Sequence, residues 1–76
     1  MRRYTVSCEW DPEAGVWYVA DSDVPGLATE APTLEALEIK LQQMVPELLV
    51  LNVGLAPHQA VPFDLITHKH ELARLA

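Results

Sequence analysis

The stretch EWDPEAGVWYVADSDVPGL at residues 9–27 constrains the fold most, because it sets a tight corner between two runs of strand-forming residues. Before the corner, Tyr4, Val6, Cys8 and Trp10 alternate with Thr5, Ser7 and Glu9. A period of two predicts a β-strand with one buried face. Asp11, Pro12 and Gly15 supply the turn, Pro12 by presetting its backbone angle and Gly15 by tolerating a positive one. Residues 16–20, VWYVA, return as the second strand of a hairpin. Val16, Tyr18 and Ala20 lie on one of its faces and Trp17 and Val19 on the other. Both faces are apolar, which is the pattern of a central strand covered on two sides.

Pro25 and Gly26 punctuate the chain again, and residues 27–31 are expected to form a short third strand that Pro32 ends. Thr33 can cap a helix by accepting a bond from an unpaired N–H, with Glu35 and Glu38 near the positive helix end. Leu34, Leu37, Leu41, Met44, Val45, Leu48 and Leu51 then recur at spacings of three and four, one stripe of an amphipathic helix. Glu35, Glu38, Gln42 and Gln43 make its wet side. Pro46 falls inside the pattern and removes a helical hydrogen bond, so a kink or break is expected there, with Gly54 closing the segment. Within residues 61–71, Phe63, Leu65 and Thr67 alternate with Asp64, Ile66 and His68 as a fourth strand, placed at an edge by Pro62. The tail after residue 71 can extend this strand or turn helical.

These elements define an α+β domain spanning residues 1–76, ordered β-β-β-α-β. A crossover through the helix sets the fourth strand parallel to the first, giving a four-stranded mixed sheet in the order 3-2-1-4. One helix covers one face. The two-sided second strand therefore asks for cover on the other, and a second copy of the chain is the simplest one. A homodimer or higher homo-oligomer is expected on a further ground: 76 residues hold one small core, and Cys8, the single cysteine, cannot form an intrachain disulfide.

Eleven acidic residues against five Lys and Arg leave a formal charge of −6, which opposes a phosphate backbone and favours a basic partner. The basic cluster Arg2 and Arg3 is too small to form an anion-binding patch. A lone cysteine and the lack of a signal or membrane-spanning run point to a cytoplasmic setting, with no membrane contact.

No catalytic motif stands out, and neither an enzymatic activity nor a cofactor is expected. His68 and His70, two apart on a strand, could share a metal, and His58 would make a third ligand; solvated edge residues are the simpler reading. A strand meander followed by a helix and a parallel strand also opens the ribonuclease H fold, which gathers carboxylates around two metal ions. Glu9, Asp11, Glu38 and Asp64 are the acids available for an alternative reading as a metal-dependent nuclease. A purely structural oligomer or regulatory fragment is a third reading. Cys8, flanked by apolar positions, reads as a small buried hydrophobe. Asp21 and Asp23 cap a turn or meet a basic partner, while Trp10 and Trp17 form a cross-strand aromatic pair.

Taken together, the Trp-Asp-Pro-Glu-Ala-Gly-Val-Trp corner, the Asp-Val-Pro-Gly-Leu at 23–27, the Thr-Glu-Ala-Pro-Thr-Leu-Glu-Ala-Leu at 29–37 and the leucine-rich helix resemble the HicB-like antitoxin domain, above all its short stand-alone members of unknown function. The resemblance implies a partial, inactive ribonuclease H-like fold in a dimer or higher oligomer. It also implies a protein-binding role in a toxin-antitoxin system, blocking a small basic toxin that cleaves messenger RNA. The full-length pattern adds a C-terminal DNA-binding segment with no counterpart in these residues, so no direct nucleic-acid contact is expected. The leading expectation is a non-enzymatic binding module whose partner contacts are Asp21, Asp23 and Glu30, with Trp17 as an apolar anchor.

Overall fold

The computed structural model describes residues 3–76; Arg2 of the basic pair lies outside them. Five elements follow in order: β1 (Tyr4–Asp11), β2 (Val16–Ser22), β3 (Glu30–Ala31), α1 (Leu34–Val53) and β4 (Phe63–His68). The sheet has the order β3-β2-β1-β4, with β1 antiparallel to β2 and parallel to β4, and β3 antiparallel to β2. The α+β class and strand order are those expected from the residues.

The hairpin corner is built by Asp11. Its carboxylate accepts from the N–H groups of Glu13 and Ala14 at 3.0 and 3.2 Å, and its carbonyl accepts from Gly15 at 2.8 Å. Gly15 takes the positive φ of 68° that this closure needs. Between Ser7 and Cys8 the register of β1 against β2 shifts, leaving Ala20 as the extra residue of a bulge.

One face of the sheet is the core. Tyr4, Val6 and Cys8 of β1 are buried there with Val24, Ala31 and the helical residues Leu37, Leu41, Val45 and Leu49. Trp17, Val19, Phe63 and Leu65 pack against this cluster, so Trp17 and Val19 of β2 face the helix and Val16 and Tyr18 face away, and the bulge at Ala20 then turns Asp21 to the same side as Tyr18. Thr33 caps α1 as predicted, its hydroxyl accepting from Ala36 N–H at 3.1 Å.

Four local expectations are corrected. The third strand covers only Glu30–Ala31 and not residues 27–31. The preceding residues are diverted into a turn: Leu27 N–H donates to the Val24 carbonyl at 3.2 Å, with Pro25 and Gly26 at the corner and Gly26 at φ 82°. That turn buries Val24, and Asn52 donates to the Pro25 carbonyl at 3.0 Å, so the segment docks on the end of the helix instead of on β2. Second, of the kink or break expected at Pro46 the break does not occur, and α1 runs through it to Val53. Val45 and Leu49, fully buried on either side of the proline, hold both turns on the sheet, while Gln42, whose carbonyl loses its partner, is exposed to water. Third, the buried row is Leu37, Leu41, Val45 and Leu49, and Leu51 is 78% exposed. A row of fourth residues is inclined to the helix axis and so tracks the twist of the sheet beneath it, which carries the last turn's contact to Leu49. Fourth, the last strand is Phe63–His68 and not residues 61–71; the chain beyond it forms neither strand nor helix.

Candidate functional site

The sheet has no helix on its second face among the described residues. The strand pairings place Thr5, Ser7 and Glu9 of β1, Val16, Tyr18 and Asp21 of β2, Glu30 of β3, and Asp64, Ile66 and His68 of β4 on that side. Tyr18 on β2 and Ile66 on the edge strand β4 are 36% and 53% exposed, large apolar groups left in water on either side of β1. Acids lie among them: Glu9 on β1 and Glu30 on β3 are opposite Tyr18 on either side, Asp64 precedes Ile66 by two residues on β4, and Asp21 is opposite Ser7. The facing positive groups are few. Arg3 meets Asp64 at 3.3 Å and His68 Nδ1 stands 4.0 Å from Glu9, both in exposed positions where ion pairs contribute little.

The four partner residues expected from the sequence divide. Asp21 and Glu30 belong to this open face, both exposed. Asp23 has its carboxylate committed to the fold: Oδ1 accepts from Thr5 N–H at 2.9 Å, while its own N–H donates to the Thr5 carbonyl at 3.3 Å. These two bonds prolong the β1–β2 ladder by one residue pair. Trp17 faces the opposite way, partly buried against the core and stacked with Trp10, ring centroids 5.6 Å apart and planes tilted by 57°. Lys69 Nζ adds a cation–π contact 5.1 Å from the Trp10 ring. The aromatic group beside the acids is therefore Tyr18. Strand parity could have found it, since Tyr18 and Trp17 alternate and β1 fixes which of them meets the helix.

The acids weighed for a nuclease do not converge. Glu38 is exposed on α1, on the covered side of the sheet, whereas Glu9 and Asp64 point from the other side; Asp11 is engaged in the hairpin turn. His58 sits in the loop before β4, with φ 64°, and His68 ends that strand, so six residues of extended chain separate them, about 20 Å. His70 lies past the strand end. Among the described residues no group of three or more His, Cys, Asp or Glu is placed to hold a metal ion. Cys8 is 1% exposed, and burial pushes its thiol pKa up, which keeps it protonated and unreactive. A concavity of about 520 Å³ opens along residues 19–28, where the carboxylates of Asp21 and Asp23 border Val24 and Leu27. No helix is long and apolar enough to cross a membrane among the described residues.

Covered on one side by a single helix and open and acidic on the other, the molecule belongs to the class of small α+β domains whose exposed chemistry lies on a sheet face. The comparisons name its family: a model described as a domain of unknown function, DUF1902, matches residues 3–76, and the chain belongs to that family. It is similar to the crystal structure of hypothetical protein TTHA1013 from the extremely thermophilic bacterium Thermus thermophilus. The two are 43% identical, with a TM-score of 0.65 over 97% of this chain and 100% of that one. No curated protein matches the chain.

Proposed function

We propose that this domain is a non-enzymatic protein-binding module that uses its open sheet face to hold a small basic protein, in the manner of a HicB-like antitoxin holding a ribonuclease-type toxin. The observation that carries the reading is the composition of that face: exposed Tyr18 and Ile66 interspersed with Glu9, Asp21, Glu30 and Asp64, on a chain of net charge −6. Exposed aromatic and aliphatic groups with charge beside them suit a protein interface. The sign of that charge selects a basic partner and steers its approach, and it repels nucleic acid. The lack of convergent carboxylates or a metal-ligand cluster among the described residues gives no comparable support to a nuclease. The HicB-like resemblance carried by the Asp-Val-Pro-Gly-Leu and Thr-Glu-Ala-Pro-Thr-Leu-Glu-Ala-Leu stretches supports the same reading.

The test is a pull-down of the tagged chain from its own cells at low ionic strength, beside an Asp21→Lys/Glu30→Lys variant. A small basic protein held by the native chain, released by salt and missed by the variant, would then be assayed for RNA cleavage with and without its partner. Equal capture by both chains, or no stoichiometric basic protein on either, would sink the proposal.

A further inference from the structure

The C-terminal residues 69–76 form no turn, helix or strand, and every one of them is exposed, Leu72 at 89% and Leu75 at 101%. The molecule measures 55 × 22 × 17 Å with a radius of gyration of 14.4 Å, where a compact chain of this length has about 11 Å. An exposed tail continuing from β4, with Lys69 still over Trp10 and the residues after it in water, fits that excess length. Residues 3–76 match the family model, so the tail is part of the family's domain. A single chain thus leaves two apolar side chains of a family segment in water.

The tail leaves from a strand with an unfilled side, because β4 is the last strand of the order β3-β2-β1-β4 and no strand among the described residues pairs with its outer edge. Such an edge is a template for another strand. We infer that a second copy of this chain fills it: β4 and the tail of one chain pair antiparallel with β4 and the tail of another about a two-fold axis at Lys69, joining the two sheets into one. The side chains select the register. With Lys69 at the axis, residue i lies opposite residue 138 − i, and the tail continues the alternation of β4, so opposed residues share a face. Ile66, 53% exposed, then meets the partner's Leu72, and partly buried Phe63 meets the partner's Leu75. Asp64 meets the partner's Arg74, an acid against a base, while Leu65 meets the partner's Ala73 and His68 the partner's His70.

Moving the axis by one residue destroys the match: at His68, Asp64 would face the partner's Leu72, and at His70, Ile66 would face the partner's Arg74. The two Lys69 at the axis are already balanced, each ammonium lying over its own Trp10 ring and 3.7 Å from its own Glu71. The ladder ends where β4 begins, at Phe63 opposite the partner's Leu75. The contact is isologous and closes on itself, so it makes a dimer and not a filament. It runs along the edge of the sheet and borders the open face at Ile66 and Asp64, while Tyr18, Asp21 and Glu30 lie clear of it, so the Asp21→Lys/Glu30→Lys variant tests the basic partner without touching the dimer.

Sedimentation equilibrium of the full chain tests it. The native protein should weigh twice the 8.5 kDa chain at micromolar concentration. Leu72→Asp, at a residue 89% exposed in its own chain, should leave a folded monomer by circular dichroism. Arg74→Asp should weaken the dimer about tenfold, since opposed like charges replace two symmetric ion pairs, and Asp64→Arg/Arg74→Asp should restore it to within about threefold. That rescue cannot be intrachain, because ten extended residues hold the two positions about 33 Å apart. Lys69→Cys should cross-link to itself on oxidation, whereas Lys40→Cys on the helix should not. A native chain that stays monomeric, a Leu72→Asp variant that still dimerises, or a Lys69→Cys dimer that fails to cross-link would each overturn the inference.

Discussion

The two faces of the same sheet hold similar side chains in opposite circumstances. On the helix side, Val6, Cys8, Leu37, Leu41, Val45 and Leu49 are all 1% exposed or less, and among the described residues no buried side-chain polar atom lacks a partner. On the other side, Tyr18 and Ile66 are in water among four carboxylates. β-branched and aromatic residues serve on both, so the residue types alone do not say which face carries the fold and which is free to bind. The difference comes from the helix. Its single inclined row of leucines and valine closes one face and offers nothing to the other.

The comparison breaks most readily on the covered side. Leu41→Ala removes a fully buried side chain from the middle of the helix row and is expected to cost about 2–5 kcal/mol, read as a fall in the urea midpoint without a change of slope. A loss under about 1 kcal/mol would mean that the core is less tightly closed than its burial indicates. A smaller effect is expected where the chain is diverted from sheet to helix. Gly26→Ala puts a side chain at φ 82° and brings its Cβ to 3.2 Å from Asn52 Nδ2, for a cost of about 1–2 kcal/mol in thermal or urea unfolding. If alanine is neutral there, the turn is free to move and does not anchor Val24 against the core.

The smallest change is expected on the open face and is the most informative. Tyr18→Thr keeps a strand-forming residue at an exposed site and should shift stability by about 0.5 kcal/mol or less, while weakening capture of the basic partner. A stability loss comparable to that of Leu41→Ala would show that the face is covered in solution.

Alkaline pH probes the covered face from another direction. Because burial raises the thiol pKa of Cys8 in the folded chain, its contribution to stability is complete below the unfolded thiol pKa. The contribution falls as pH rises through the folded value, since the unfolded chain then ionises first. Unfolding at pH 10 should therefore be easier for the native chain than for Cys8→Ala, relative to the two at pH 7. An equal dependence in both would show that the thiol is not desolvated.

Much of this was legible from local pattern. Alternation over residues 4–10, the Asp-Pro-Glu-Ala-Gly corner, the Thr33 cap and the leucine spacing are each read within a few residues, and they define the hairpin, the helix and the strand order. The candidate face was legible only in part. Asp21 and Glu30 were found by charge, but charge does not show that the Asp23 carboxylate is held by the Thr5 N–H, or that Trp17 lies under the sheet while Tyr18 lies on top.

The sequence by itself determined the elements, the net charge and the pairing of apolar stripe with strand, because helix and strand periods and turn chemistry act between near neighbours. The tertiary contacts decided that the turn at residues 24–27 docks on the helix and leaves only Glu30–Ala31 as strand, that Pro46 is carried through an unbroken α1, and which acids share a face with Tyr18. Those outcomes depend on contacts between residues far apart in the chain. The helix row had to settle on one side of the sheet before the other side could be identified as the face left open.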